Sequence, residues 1–242
     1  MPYELRLWAN PEPGHVYAIG GDPAEGLEHG DDSVIEVFDA NFGAQCAELQ
    51  GKVEPFAFAE LAFMLGTWYN NGLIAIEANK DGGSNRQLFE LGYRNIYFEQ
   101  VDTGRPWDTP TPRLGLNVNL RSRHRLIAQA RRWLEDDAVF IYSRWLLEQM
   151  ETFVLRDAKY QAIPGGHDDL VMAFVLTVDM LRICSAQAEA VNYAPLIGGE
   201  PAEVAFEDID EAEHQPRSAR LIALTQSRGL REAPATTMGN LL

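Results

Sequence analysis

Two short apolar runs each end on a carboxylate, and a pair of aspartates opens the most apolar helical segment of the chain. Val16–Ile19 leads through Gly20-Gly21 to Asp22, Leu73–Ile76 leads directly to Glu77, and His167-Asp168-Asp169 precedes the segment Leu170–Ile183. Apolar runs this short, one of them holding two isoleucines, suit buried strands rather than helices. Acids at strand ends and at the start of a buried helix constrain the chain to a layered α/β fold in which they converge.

The remaining segments fill in that layer structure. Pro11-Glu-Pro-Gly14 is a turn, and His15–Gly21 is a first strand stopped by Asp22-Pro23. Ser33–Asp39 and Ala44–Leu49 are two further strands joined by the turn Asn41-Phe-Gly43, which makes an antiparallel meander. Glu54-Pro55 opens a helix with Phe56, Leu61, Met64, Leu65 and Trp68 at roughly helical spacing, ended by Asn70-Asn-Gly72. Leu73–Glu77 is then expected parallel to the first strand, as a strand–helix–strand connection requires. A helix at Ser84–Leu91 and a strand at Ile96–Phe98 follow. Val101–Leu120, crowded with Pro, Thr, Gly and Asn, is expected to be an extended excursion or hairpin with no core role. Arg121–Glu135 is an amphipathic helix with a basic outer face, Val139–Tyr142 a short strand, Trp145–Phe153 a helix and Asp168–Ile183 a buried helix. This order predicts an α/β, ribonuclease H-like fold, a mixed β-sheet flanked by helices on both faces. The expected division is a domain over residues 1–190 and an acidic, irregular C-terminal tail over 191–242, with a short terminal helix at Ser218–Leu230.

Composition narrows the function classes. A chain of 242 residues with 46% hydrophobic content supports one such domain with an appendage. Its two cysteines, Cys46 and Cys184, lie far apart and form neither a disulfide framework nor a zinc pattern, so a reducing compartment is expected. No apolar stretch is long enough to span a bilayer, so no membrane association is expected. The net charge of −16 argues against general nucleic-acid binding, which draws its affinity from Lys and Arg. Much of that charge lies in Glu200–Glu213, however, while basic residues concentrate in Arg121-Ser-Arg-His-Arg125 and Arg131-Arg132. A local positive face survives the global sign.

Carboxylates gathered from separate elements hold hard divalent cations such as Mg²⁺ or Mn²⁺ and leave coordination positions open. Two such ions, about 3.5–4 Å apart, stabilise the attacking and leaving oxygens of a phosphodiester together. Asp22, on a strand expected at the centre of the sheet, would bridge them, with Glu77 arriving from the neighbouring parallel strand. Successive residues of a helix diverge by about a quarter turn, so one of Asp168 and Asp169 is expected to ligate and the other to act through water. Asp22 can equally be a turn residue before proline, and one of the two aspartates a helix cap.

These motifs resemble a known family. Tyr17-Ala-Ile-Gly-Gly-Asp-Pro-Ala-Glu-Gly26 with Asp32-Ser33, Ile76-Glu-Ala-Asn79 with Gly82, and Gly166-His-Asp-Asp-Leu-Val-Met-Ala173 are together similar to the nuclease domain of large terminase subunits of tailed double-stranded DNA bacteriophages. The resemblance implies an endonuclease that cuts concatemeric viral DNA during genome packaging, with Asp22, Glu77, Asp168 and Asp169 as its acidic metal site and two Mg²⁺ or Mn²⁺ ions as cofactors. Asp32 and His167 are auxiliary metal candidates. Arg121, Arg123 and Arg125 are candidates for DNA-backbone contact, with Lys80 a further one; a solvated helix face is the alternative reading for the arginines. The resemblance further implies double-stranded DNA, a small terminase subunit, a portal and a packaging ATPase domain as partners, in the cytoplasm of the infected bacterial host. The sequence contains no G-x-x-x-x-G-K-[ST] phosphate loop, so the motor is not expected on these residues. Alternative readings are a resolvase- or transposase-like nuclease, an actin-like ATPase, and a non-catalytic interaction module for packaging.

Overall fold

Three antiparallel pairings and one parallel one build the central sheet. The computed structural model describes residues 3–79, 83–101 and 110–193, with side chains as far as Ala186. They belong to the first of two compact units, Met1–Glu200; the second, Pro201–Leu242, lies outside the described residues, as does the expected tail helix. The strands are β1 (Tyr3–Leu7), β2 (Tyr17–Asp22), β3 (Ser33–Asp39), β4 (Ala44–Gly51) and β5 (Leu73–Ile76), in the spatial order β1-β4-β3-β2-β5. Only β2 and β5 run parallel, with Gly20 opposite Ala75 and Gly21 opposite Ile76. The meander and the parallel return are as the sequence predicts. The sequence reading missed β1, whose Glu4 and Arg6 disguise a half-exposed edge strand. The strand carrying Asp22 is therefore the second in the chain, flanked by β3 and β5.

Strand residues alternate between two cores. On one face Tyr17, Ile19, Ile35, Val37, Leu49, Ile74 and Ile76 pack on α1 (Pro55–Trp68) and α2 (Ser84–Glu90). On the other, Ala18, Val34, Phe38, Leu73 and Ala75 pack against α3 (Leu120–Glu135), α4 (Arg144–Glu151) and α5 (Asp169–Tyr193). Each large apolar side chain fully buried in these layers stabilises the fold by about 1.5–3 kcal/mol. Helices therefore cover both faces, and α5 runs well past its expected end at Ile183. A close approach explains Gly20: a Cβ there would lie 2.3 Å from Thr177 Oγ1 and 2.4 Å from the Ala173 carbonyl, so only glycine lets α5 lie against β2.

The helix starts are chemically specified. Glu54 accepts from the amides of Phe56 and Ala57 ahead of Pro55, Asn119 and Ser122 form a reciprocal capping box on α3, and Ser143 Oγ accepts from Leu146. Two expectations need correction. Val101–Leu120 does have a core role, because Leu116 and Val118 are buried and Leu116 bridges to Glu77 beyond the end of β5. Its first part is a hairpin, β6 (Phe98–Val101) with β7 (Thr111–Leu114), and residues 102–109 lie outside the described set. The helix expected over Trp145–Phe153 ends at Glu151 and gives way to an unforeseen hairpin, β8 (Phe153–Arg156) and β9 (Lys159–Ala162). Its two turn residues, Asp157 and Ala158, both have positive φ, the conformation a two-residue hairpin loop requires. Ile96 and Phe140 make only isolated bridges, to Ile74 and Ala44.

Candidate metal centre

β2 and β5 end side by side, and the amide of Glu77 donates to the Gly21 carbonyl at 2.9 Å, which brings Asp22 and Glu77 to the same sheet edge. Beyond Glu77, Asn79 locks the next loop in place: its Oδ1 accepts from the Val118 amide at 3.0 Å and its Nδ2 donates to the Val118 carbonyl. That pairing sets the loop that caps α3. From the opposite core, α5 starts at the same edge, anchored where the Leu170 amide donates to Gln149 Oε1 at 2.9 Å.

The result is one cleft of about 870 Å³. Asp22, Asp32, Glu77, Asp168 and Asp169 all line it, joined by Glu25, Asp31, Asn79, Arg123 and Lys159. Ligand atoms of Asp31, His167 and Asp169 lie within 4.8 Å of one another, and His167 Nδ1 is 3.8 Å from Asp169 Oδ2. Asp31 and His167 are exposed, whereas Asp169 is only 5% exposed. Burial raises the Asp169 carboxyl to about 6, opposed by the hydrogen bond from the Asp32 amide at 3.2 Å and reinforced by Asp31 and Asp168. Glu77 is buried as well.

The two aspartates at the start of α5 have different surroundings. The Asp168 carbonyl accepts from the Met172 amide, so this residue holds the N-cap position, but its carboxylate pairs with Arg123 instead of capping. Asp32 contributes its amide to Asp169, while its own carboxylate is held by Lys52 Nζ at 2.7 Å and Gln50 Nε2 at 3.0 Å.

The basic row of α3 divides in the same way. Arg123 turns into the cleft, and Arg125 pairs with buried Asp179 on α5 at 3.1 Å. Arg121 is exposed in the first turn. Lys80 and Gly82 fall outside the described residues. The sequence alone assigns no role to Asp31, Lys159, Glu25 or the Asn79–Val118 pairing. The adjacent acids Asp31-Asp32 were the one available signal.

No family model and no curated protein matches this chain. Solved structures do match in fold. The large terminase nuclease of thermophilic phage G20c with bound magnesium superposes with a TM-score of 0.59 at 20% identity, covering 74% of this chain and 90% of that one. The same nuclease with bound zinc gives 0.55 at 20%, covering 74% and 91%. The large terminase nuclease domain of Thermus phage P74-26 gives 0.56 at 19%, covering 73% and 87%. The fold is ribonuclease H-like, shared with these nuclease domains.

Proposed function

We propose that this chain is a metal-dependent DNA endonuclease that cleaves double-stranded viral concatemers during phage genome packaging, in the cytoplasm of the infected host. The observation that carries the reading is the convergence of Asp22, Glu77 and Asp169 from two strand ends and a helix start into one cleft. Its donor set fits hard divalent cations: carboxylate oxygens on rigid elements, one of them buried and oriented by a backbone amide. Asp22, Glu77 and Asp169 would hold Mg²⁺ or Mn²⁺, with Asp31 and His167 as outer contributors. When bound, such ions polarise a phosphodiester and acidify a water molecule, and two together steady both oxygens of an in-line displacement. Magnesium, cobalt and zinc bound to the G20c nuclease support a divalent site of this kind.

The chain's own residues prepare the reaction. The Asp32 amide aims the Asp169 carboxylate, and Asp169 must lose its proton before it can ligate. Lys159 faces the cleft from the opposing hairpin and offers a cation to an incoming phosphate. Arg121, exposed at the head of α3, is the best remaining candidate of its row for backbone contact. A packaging ATPase, a small terminase subunit and a portal are the partners that would bring DNA to this cleft.

Supercoiled plasmid incubated with Mn²⁺, Mg²⁺ or EDTA tests the reading. Wild type is expected to nick only with metal, and Asp22→Ala and Asp169→Ala to lose about 100-fold or more of that rate. Nicking at the wild-type rate by both variants would sink the assignment.

A further inference from the structure

Arg123 leaves the solvent-facing row of its helix and is held by the start of α5 and the β8–β9 hairpin. Its guanidinium pairs with Asp168 at the start of α5, its Nε donates to the Tyr160 carbonyl on β9 at 2.9 Å, and it lies 5.7 Å from the Phe153 ring centre on β8. Only 14% of the side chain is exposed. Asp168 thus spends its carboxylate on an arginine, whereas the only basic side chain paired with Asp169 among the described residues is the His167 imidazole at 3.8 Å. The two adjacent acids differ in what they have left to offer a cation.

We propose that Arg123 is a positioning residue: by taking Asp168 as its counter-ion, it holds that carboxylate out of the metal-binding set and leaves Asp169 to ligate. The inference rests on the metal-nuclease reading. It has an unusual electrostatic signature. Removing the guanidinium leaves a more negative cleft, which holds a divalent cation more tightly, while the released Asp168 is free to enter the site and disturb its geometry. Affinity for metal and turnover move in opposite directions. General damage to the cleft would lower both.

The test is Mn²⁺ binding followed by electron paramagnetic resonance of the free ion, with thermal melts and metal-titrated plasmid nicking on the same preparations. Asp169→Asn is expected to weaken Mn²⁺ binding by about 100-fold, and Asp168→Asn by no more than about threefold. Arg123→Gln is expected to bind Mn²⁺ roughly tenfold more tightly while kcat falls roughly tenfold. Arg123→Lys, which keeps the charge but not the planar fork, is expected to stay within about threefold of wild type in affinity. Equal loss of binding in Asp168→Asn and Asp169→Asn would overturn the proposal, as would weaker binding by a folded Arg123→Gln. The Asp168→Asn arm leaves Arg123 untouched, so the proposal stays exposed even if Arg123→Gln fails to fold. A wild type that binds no Mn²⁺ overturns the nuclease reading along with it, whereas a defect confined to the Arg123 and Asp168 arms overturns this proposal alone.

Discussion

Two groups of buried acids lie against the same sheet, one at the ends of its strands and one in its middle. At the strand ends, Glu77 and Asp169 are buried beside Asp22 and open into the cleft. In the middle, Arg6, Glu48, Glu36 and Gly20 stand in one row across β1, β4, β3 and β2. Glu36 and Glu48 are wholly buried there, with Arg6 paired to Glu48 and stacked 3.8 Å over the Trp145 ring, and Gln45 Nε2 donating to Glu36 at 2.8 Å. Burial and the nearby Glu48 raise the Glu36 carboxyl well above the ordinary carboxylate range, which favours its neutral form. Glu36 Oε1 and Glu48 Oε2 are both buried without a hydrogen-bond donor. Burial of acids alone does not make a site. The strand-end group opens into a cleft, where the Asp32 amide holds the Asp169 carboxylate, while the central group is wholly buried among its own partners.

This contrast can be broken by pH. The central pair is buried away from the cleft, whereas on the proposed reading Asp169 must lose its proton before it can ligate. Mn²⁺ affinity is expected to rise about tenfold per pH unit below about 6, where Asp169 is still protonated, and to level off above it. Calorimetric titration between pH 5 and 8 measures this, and a flat profile would remove Asp169 from the site.

A smaller effect sharpens the other side. Because the Glu36 carboxyl is raised in the folded state, its contribution to stability is full below the unfolded value, near 4.3, and is lost as pH rises toward the folded one. Glutamine reproduces the protonated acid, with a carbonyl to accept from Gln45 and an amide to donate to Glu48. Glu36→Gln is therefore expected to become more stable than wild type as pH rises from 5 to 8, and to leave nicking unchanged. Denaturant melts at the two pH values decide it; an equal change at both would mean that Glu36 is not the titrating group.

The sequence made one half of this comparison visible. Asp22 and Glu77 were legible because strand ends and apolar runs are local features, and the parallel pairing of β2 with β5 follows from the helix between them. Asp168-Asp169 stood out as a pair before an apolar helix. Their division of labour was not legible, since Arg123 lies 45 residues away and meets Asp168 only once α3 has packed beside α5. Arg125 belongs to the same apparent basic face, yet its partner Asp179 is 54 residues distant. The hairpin β8–β9 escaped notice because Asp157-Ala158 lacks the glycine that usually marks such a turn. Nothing local marks Glu36 and Glu48 as buried, because the helices that cover that face of the sheet come from distant parts of the chain.

Anomalous scattering from crystals soaked in Mn²⁺ locates the metal relative to the acids of the cleft. Manganese is expected in the cleft within about 2.5 Å of carboxylate oxygens of Asp22 and Asp169, with Asp168 still turned to Arg123. A cleft empty of manganese at saturating Mn²⁺, with the ion bound only at surface acids elsewhere, would contradict the proposed metal site.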